Sequence, residues 1–232
     1  MSTQHEYTMG KELDLKAEQE KTLQTPVMKA NLLLKGMYIA MDLVYGAKRT
    51  LPKFKVIEIL ARYPYWAWEN GSYHRLSRRY ARAKYTGKQE SAADLRHIEF
   101  GRSAQDNEQS HLMLIEDMMR QKGMEQNWVM SCPIPRLMAF GYFLMTRVLY
   151  RLKPSWSFEM NARFESHAEH EYMHLVSEHP EWEEEAVDTE HFERYPKQAT
   201  IADLFRRIGL DERDHMNKSI EEYERVTGKT LA

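Results

Sequence analysis

Apolar residues recur at intervals of three and four along most of the chain, which is the spacing of one face of an α-helix. A first such stripe runs through residues 27–47, and Pro52 then opens a second helical pattern at a position that suits a first turn. Pro64 lies inside this second pattern, so we expect a kink or a break there. Three further helical patterns cover residues 92–122, 156–177 and 201–226. The chain is therefore predicted to be all-α.

The segment from Pro133 to Pro154 is the most apolar part of the chain. Its cations, Arg136, Arg147 and Arg151, are spaced by eleven and four residues, which places them on one narrow face of a helix. The rest of the helix surface is apolar, an arrangement that suits a helix lying in the surface of a membrane. A buried core helix is the alternative interpretation, because the pattern does not say what covers the apolar face.

Composition narrows the class of protein. The 232 residues include 33 Lys and Arg against 35 Asp and Glu, and the net charge of -2 gives no overall attraction to nucleic acid. No uncharged run approaches the roughly 18 residues of a membrane span, and the mean hydropathy is -0.70, so a polytopic membrane protein is excluded. The single cysteine, Cys132, excludes internal disulfides and Cys-rich zinc modules. Any metal ligands must therefore be His and carboxylates.

Residues 1–25 are polar and carry charges of both signs, so we expect a flexible tail followed by a single domain over residues 26–232. The tail has no apolar stretch of the kind that a secretory signal needs, and its acidic residues argue against a transit peptide. The basic stretch from Tyr80 to Ser91 is predicted to contain a loop.

Three Glu-x-x-His pairs stand out, because on a helix this spacing puts a carboxylate and an imidazole on one face, where both can bind one cation. The pairs are Glu108/His111, Glu171/His174 and Glu212/His215. Ferritin-like di-iron sites combine two such pairs with one glutamate from each of two other helices. Glu58, which has aliphatic neighbours, and Glu165 are candidates for these glutamates, and Glu69 competes with Glu58. Surface ion pairs or chance spacing are the ordinary alternative.

A rival motif overlaps the second pair. Residues 170–174 follow the pattern His-Glu-x-x-His, in which two histidines bind zinc and the glutamate is the base of a metalloprotease. The metzincin extension requires Gly and His where Ser177 and Pro180 stand, so that form of the motif fails. A zinc protease built on His170 and His174 remains an alternative.

Four segments together resemble the alternative oxidase family, and in particular its plastid terminal oxidase-like branch. They occur in the family's order within residues 51–218: Phe54 to Tyr65 around the first glutamate, Gln105 to Leu112 with its Asn-Glu-x-x-His-Leu, Glu165 to Ala168 with the Glu-Ser-His-Ala of the plastid branch, and Asp211 to His215 with the final Asp-Glu-x-x-His. Lys53 stands where the family usually has arginine, and its amine lacks the planar fork of a guanidinium.

The resemblance implies a ferritin-like di-iron four-helix bundle with additional helices that form a membrane-facing surface. It also implies two iron ions bound by Glu58, Glu108, His111, Glu165, Glu212 and His215. Tyr172 then corresponds to the family's redox-active tyrosine, and its position seven residues after Glu165 is close to two helical turns on the same face. Asn107 and Asp211 correspond to residues that orient ligands. Glu171/His174 becomes a coincidental pair.

The implied reaction is quinol oxidation coupled to four-electron reduction of O2 to water, without proton pumping. Because the quinol, plastoquinol or ubiquinol, is lipid-soluble, the resemblance implies a monotopic protein of a bacterial inner or thylakoid-type membrane. It also implies a homodimer. A soluble ferritin-like ferroxidase is the leading alternative, and the apolar stretch at residues 136–152 favours the oxidase because a soluble protein needs no lipid-facing stripe.

Overall fold

A computed structural model of the chain describes residues 6–81, 88–124 and 126–231. These ranges contain eight α-helices: α1 (Leu15–Gln24), α2 (Leu32–Tyr45), α3 (Leu51–Ala81), α4 (Lys88–Gln121), α5 (Trp128–Ser131), α6 (Pro133–Leu152), α7 (Pro154–Glu178) and α8 (Ile201–Thr227). Two short 3-10 turns, Pro180–Glu183 and His191–Glu193, separate α7 from α8. No β-strand occurs among the described residues, and the all-α prediction is confirmed.

Several helix ends carry the capping chemistry that fixes them. The Asn31 side chain accepts from the Leu34 N–H at 2.9 Å at the start of α2, and the Thr200 hydroxyl accepts from the Asp203 N–H at 3.1 Å at the start of α8. Gly228 follows α8 with a φ of +67°, the left-handed conformation that favours glycine. Helix α4 begins at Lys88 rather than at residue 92, and residues 82–87 of the predicted basic loop lie outside the described residues.

Helix α3 runs without interruption through Pro64, so of the kink or break expected there, the break is wrong. Proline removes one backbone N–H from the helix, a loss that tertiary packing can outweigh. That packing is aromatic. The Tyr65 ring meets the rings of Trp68 and Phe100 edge-on, with centroids 5.1 and 5.4 Å apart, and both Tyr65 and Trp68 are fully buried.

The expected flexible tail is also wrong for its described part, residues 6–25. Helix α1 packs against α8, and its Gln19 and Thr22 side chains are buried. The Gln19 amide donates to the Met173 carbonyl at 2.8 Å, and the Thr22 hydroxyl donates to a Glu169 carboxylate oxygen at 2.7 Å. A polar segment was expected to stay in water, but here polar side chains dock through buried hydrogen bonds.

The chain divides into two compact units. Unit 1 comprises Met1–Lys53 and Phe158–Ala232, and unit 2 comprises Phe54–Ser157. The largest fully buried side chains of unit 1 include Leu34, Phe158, Tyr172 and Phe205, and those of unit 2 include Phe54, Leu60, Tyr65, Trp68, Leu114, Ile115, Met118 and Tyr150. That residues 26–232 form one domain remains a prediction.

Helix α6 of unit 2 is half-buried. One stripe is buried, namely Pro135, Ala139, Tyr142, Thr146 and Tyr150, and the opposite stripe is exposed and apolar, namely Leu137, Phe140, Leu144, Val148 and Leu152. Arg136 and Arg151 are exposed, whereas Arg147 is partly buried and donates to the Asn70 side chain. The alternative of a buried core helix is therefore wrong.

Helix α2 of unit 1 also has exposed apolar residues, namely Leu32, Leu33, Ile39, Leu43 and Val44. The exposed fractions of Leu32 and Leu43 reach 86% and 81%. Among the described helices, none combines the length and the apolar character needed to cross a bilayer.

Candidate metal centre

Unit 2 brings together three of the predicted ligands. Glu58 of α3 and Glu108 and His111 of α4 are at most 1% exposed. The His111 Nδ1 lies 3.3 Å from a Glu58 carboxylate oxygen and 3.6 Å from a Glu108 carboxylate oxygen. Each residue offers a ligand atom within 4.8 Å of the others, so this half could hold a metal ion.

Unit 1 brings together the other three. Glu165 of α7 and Glu212 and His215 of α8 are buried, and their ligand atoms also lie within 4.8 Å of one another. The His215 Nδ1 lies 3.6 Å from a Glu212 carboxylate oxygen. Each half thus consists of one glutamate from one helix and a Glu-x-x-His pair from the next long helix, the arrangement expected from the spacing.

The donor set of each half fits a divalent first-row metal ion. Two carboxylates and one neutral imidazole carry a charge of -2, which one divalent cation balances. Burying two carboxylates without such compensation would be costly. Carboxylate oxygens and imidazole nitrogens suit iron, and neither cluster contains the thiolates that softer metals prefer.

The ligands of unit 1 are held by hydrogen bonds to neighbouring side chains. Asn161 lies one turn before Glu165 on α7, and its amide donates to the Glu165 carboxylate and to the Ser219 hydroxyl, both at 3.0 Å. Asp211, next to Glu212, accepts from Arg207 Nη2 and from the Tyr195 hydroxyl, both at 2.6 Å. An orienting role of Asp211 has this structural basis, and that of Asn107 stays a prediction. Sequence analysis missed Asn161, although its spacing of four from Glu165 was a visible signal.

Tyr172 is fully buried on α7, and its ring stacks on that of Phe205 with centroids 6.0 Å apart. Gly209 of α8 makes this packing possible. A Cβ there would lie 3.2 Å from the Tyr172 Cβ and 3.0 Å from the Met173 Cε. Sequence analysis also missed this glycine.

Gly101 is a glycine of unit 2 at which two helices come close together, as Gly209 is in unit 1. A Cβ at this position of α4 would lie 2.7 Å from the backbone carbonyl oxygen of Tyr65 in α3, closer than van der Waals contact allows. The two ligand helices of this unit therefore meet at a point where only glycine fits.

Tyr38 of α2 contributes a phenol to the surroundings of Glu165. Its ring lies against that of His167, with centroids 4.2 Å apart and the ring planes tilted by 32°. Burial, and then the charges of Glu165 and Glu171, raise the pKa of the Tyr38 phenol. Burial lowers the pKa of the His167 imidazole. Near neutral pH this pair is therefore a protonated phenol against a neutral ring.

The rival zinc motif is not assembled. The two His170 ring nitrogens lie 2.7 Å from the Ser166 carbonyl oxygen and 2.8 Å from the Thr25 carbonyl oxygen, and His174 is exposed. Glu171 forms an ion pair with Arg49 at 2.9 Å. The metal-binding clusters found among the described residues include none of these three, so the zinc-protease alternative has no structural support.

Two further candidates lie outside the clusters. Glu69 accepts from the Gln105 amide at 2.8 Å and pairs with Arg102, so it does not replace Glu58 as a ligand. The Lys53 amine donates to an Asp42 carboxylate oxygen at 2.5 Å and to the Gly46 carbonyl at 3.1 Å. The lysine at this position therefore has two hydrogen-bond acceptors of its own, although it lacks the planar fork of an arginine.

Comparison with known protein families decides what the two clusters belong to. The sequence model described as "Alternative oxidase" matches residues 28–221, which is most of the chain. The chain belongs to the alternative oxidase family. No curated protein and no solved structure matches it.

Alternative oxidases are di-iron quinol oxidases, so the chain is an oxidoreductase of this class with a di-iron cofactor. The predicted family, the di-iron four-helix-bundle fold class and the iron cofactor are confirmed. Members of the alternative oxidase family are monotopic, membrane-associated proteins that use quinol and O2. The match does not separate the branches of the family, so the plastid-type assignment stays a prediction.

Proposed function

We propose that this protein is a membrane-surface quinol oxidase that couples quinol oxidation to four-electron reduction of O2 to water without pumping protons. The observation that carries the proposal is the repeated donor set, a glutamate plus a Glu-x-x-His pair in each unit, within a chain that matches the alternative oxidase family. The plastid-type segment at Glu165 to Ala168 favours plastoquinol over ubiquinol as the donor.

The six ligands of the proposed centre are Glu58, Glu108, His111, Glu165, Glu212 and His215. The bound irons would supply the electron transfer between quinol and O2. The protein's own contribution is to exclude water, since five of the six residues are at most 1% exposed and His215 is 4% exposed. In such a dry site the carboxylates hold cations more strongly than they would at a surface.

Tyr172 is the proposed redox-active residue. Its phenol lies on the same helix face as Glu165, and stacking on Phe205 fixes its ring. O2 would be the oxidant that takes one electron from the phenol, the hydroxyl proton would go into the water that forms, and quinol would return one electron and one proton to restore the phenol. A buried, fixed ring suits such a cycle because the surroundings do not have to rearrange between the two states.

The proposed membrane contact lies on the exposed stripe of α6. Leu137 and Leu152 near its two ends are 71% and 70% exposed, and Phe140 between them is 58% exposed. Exposed Arg136 and Arg151 would meet lipid phosphates while the apolar side chains enter the acyl boundary. Such a stripe has no purpose in a soluble ferroxidase, and this favours the oxidase. The host membrane would be a bacterial inner or thylakoid-type membrane, and a homodimer is proposed from the resemblance alone.

Oxygen uptake tests the proposed reaction. Membranes from cells that express the protein are given a short-chain quinol in the presence of cyanide, beside membranes that contain the Glu108→Ala variant. We expect cyanide-resistant uptake that the variant lacks. Two bound irons without uptake would indicate a ferroxidase or other di-iron chemistry, and a protein without iron would overturn the metal centre.

Vesicle sedimentation tests the membrane contact. Replacing Phe140 and Leu144 by Ser removes apolar groups that each contribute about 1.5–3 kcal/mol when fully buried, so binding to anionic vesicles should fall at least ~10-fold. Val226→Ser, on α8, changes another exposed apolar residue and should leave binding intact. Equal binding by both variants would remove α6 from the membrane contact.

A further inference from the structure

Glu6–Met9, which we call the strap, crosses one side of α8 and converges on a single carboxylate. The Thr8 N–H donates to Asp214 Oδ1 at 2.8 Å, and the Met9 N–H donates to Asp214 Oδ2 at 2.7 Å. Thr8 and Asp214 are 4% and 3% exposed. These are charge-assisted bonds shielded from water, the kind that contributes most to fixing a position.

The Thr8 side chain extends the same contact along α8. Its hydroxyl accepts from Arg207 Nη2 at 2.7 Å and lies 3.2 Å from the Leu210 carbonyl oxygen. Arg207 in turn holds Asp211, the residue before Glu212. The strap therefore contacts Asp214, the residue before His215, directly. It contacts Asp211, the residue before Glu212, through Arg207.

In the α8 turn from Asp211 to His215, the residues that bind the strap and the proposed iron ligands lie on different faces of the helix. Asp211 and Asp214 are three residues apart and share one face, and Glu212 and His215 share another. Asp214 is turned by about 100° from His215 around the helix axis. Hydrogen bonds that fix Asp214 therefore fix the rotation of the turn and, with it, the direction in which Glu212 and His215 point.

The strap is not part of the family match, which begins at residue 28. Apolar packing also does not fill the whole space between the strap and α8. A cleft of about 440 Å³ is lined by Glu6, Tyr7 and Thr8 from the strap and by Arg213, Met216 and Asn217 from α8. The buried bonds to Asp214 thus provide the most direct connection between the strap and the ligand-bearing turn.

We propose that Asp214 is a positioning residue, which, through the strap, orients Glu212 and His215 for iron. The inference rests on the proposed function, because it takes these two residues as ligands. It adds a source of iron retention that lies in residues 6–9, outside the family-matched part of the chain. Residues that support metal ligands typically change metal affinity by roughly 10–100-fold when they are replaced.

Iron release from the loaded, full-length protein tests the inference. Excess chelator is added well below the unfolding temperature, and the loss of iron is followed with time. Asp214→Asn keeps the shape of the side chain but leaves one backbone N–H facing an amide NH2, so release should be at least ~10-fold faster than in the parent. Thr8→Val, an isosteric loss of the hydroxyl, should give a smaller acceleration in the same direction.

Matched controls carry the same chemical changes elsewhere. Asp203→Asn alters another α8 carboxylate, and Thr25→Val removes a hydroxyl that donates only to the nearby Lys21 carbonyl. Both should release iron at the parental rate. Asp214→Asn combined with Thr8→Val should be slower to release iron than the product of the single effects predicts, because both changes break one contact.

A control change in the core of α8 distinguishes a purely structural role: Ile201→Val alters a buried side chain at the start of this helix, outside the cleft that the strap lines. If iron release follows the unfolding midpoint of the iron-free protein equally in Ile201→Val and Asp214→Asn, the positioning role is wrong. Parental release in Asp214→Asn overturns it as well. If His215→Ala keeps two irons, the proposed ligand set fails and this inference fails with it, whereas iron loss in His215→Ala with parental release in Asp214→Asn refutes the inference alone.

Discussion

The two halves of the candidate centre present the same donors in the same order, yet the contacts beside them differ in kind. In unit 2, Glu58, Glu108 and His111 lie on α3 and α4, and these helices meet at Gly101. In unit 1, Asn161 lies one turn before Glu165 on α7 and donates to its carboxylate, whereas the Thr8 backbone N–H, 206 residues away in sequence, donates to Asp214 beside His215. The difference shows that donor spacing and donor support are separate properties of a sequence.

Removing a ligand from either half should have the largest effect. Glu108→Ala in unit 2 and His215→Ala in unit 1 should each lose most of the bound iron, because each leaves an incomplete donor set. His174→Ala makes the same change at an exposed histidine of the rival motif and should retain iron. Iron per chain, measured with circular dichroism as a check of folding, decides this. Full loading of either ligand variant would refute the proposed ligand set.

Tyr172 lies in unit 1, so replacing it tests whether this half has a redox role in addition to binding metal. Tyr172→Phe should keep both irons and lose quinol oxidation by more than about 100-fold, the scale expected for a group that acts directly in a reaction. Tyr223→Phe, the same change on α8, is the control. Iron content and oxygen uptake are measured on the same samples, and normal uptake by Tyr172→Phe would refute the redox role.

Replacing Gly101 and Gly209 by alanine compares a close helix contact in unit 2 with one in unit 1. Gly101→Ala drives a Cβ against a backbone oxygen and should lower the free energy of unfolding by about 2–3 kcal/mol. Gly209→Ala meets the mobile end of Met173, and the better helix propensity of alanine, worth up to about 1 kcal/mol, offsets part of the strain. We expect a loss of at most about 1 kcal/mol there. Urea unfolding measures both, and equal losses would contradict the distinction.

The smallest expected effect concerns Glu183, which anchors the 3-10 turn of unit 1 to α8. The hydrogen bond from Arg206 lowers the pKa of the Glu183 carboxyl to about 2 from 4.5. A depressed pKa stabilises the fold above pH 4.5, and this contribution is lost as the pH falls from 4.5 towards 2. Glu183→Gln should therefore cost at most about 1 kcal/mol near neutral pH and nothing near pH 2. Thermal unfolding at both pH values checks the sign, and a constant cost would contradict it.

Sequence analysis predicted the features that depend on spacing. Helical periodicity gave the long helices, and Glu-x-x-His spacing gave the two pairs that the structure places beside Glu58 and Glu165. These predictions succeed because positions three and four apart share a helix face in any fold.

The features that sequence analysis did not predict depend on contacts between residues that are far apart in sequence. Pro64 predicted a kink or a break, but α3 is not broken there, and the buried side chains of Tyr65 and Trp68 pack beside it. The polar strap suggested a tail because nothing in its own sequence identifies Asp214 as its acceptor. Gly101 gave no signal either, since the backbone oxygen that excludes a side chain there belongs to another helix.

The glycine contacts also determine which second mutations can repair a damaged protein. In Gly209→Ala the nearest obstacle is the Met173 side chain, so a genetic suppressor could arise at Met173 by a change to a shorter residue. In Gly101→Ala the obstacle is the Tyr65 carbonyl oxygen, which every amino acid carries. Selection for restored growth should therefore recover changes at residue 173 in the first case and only true reversion to glycine at position 101 in the second.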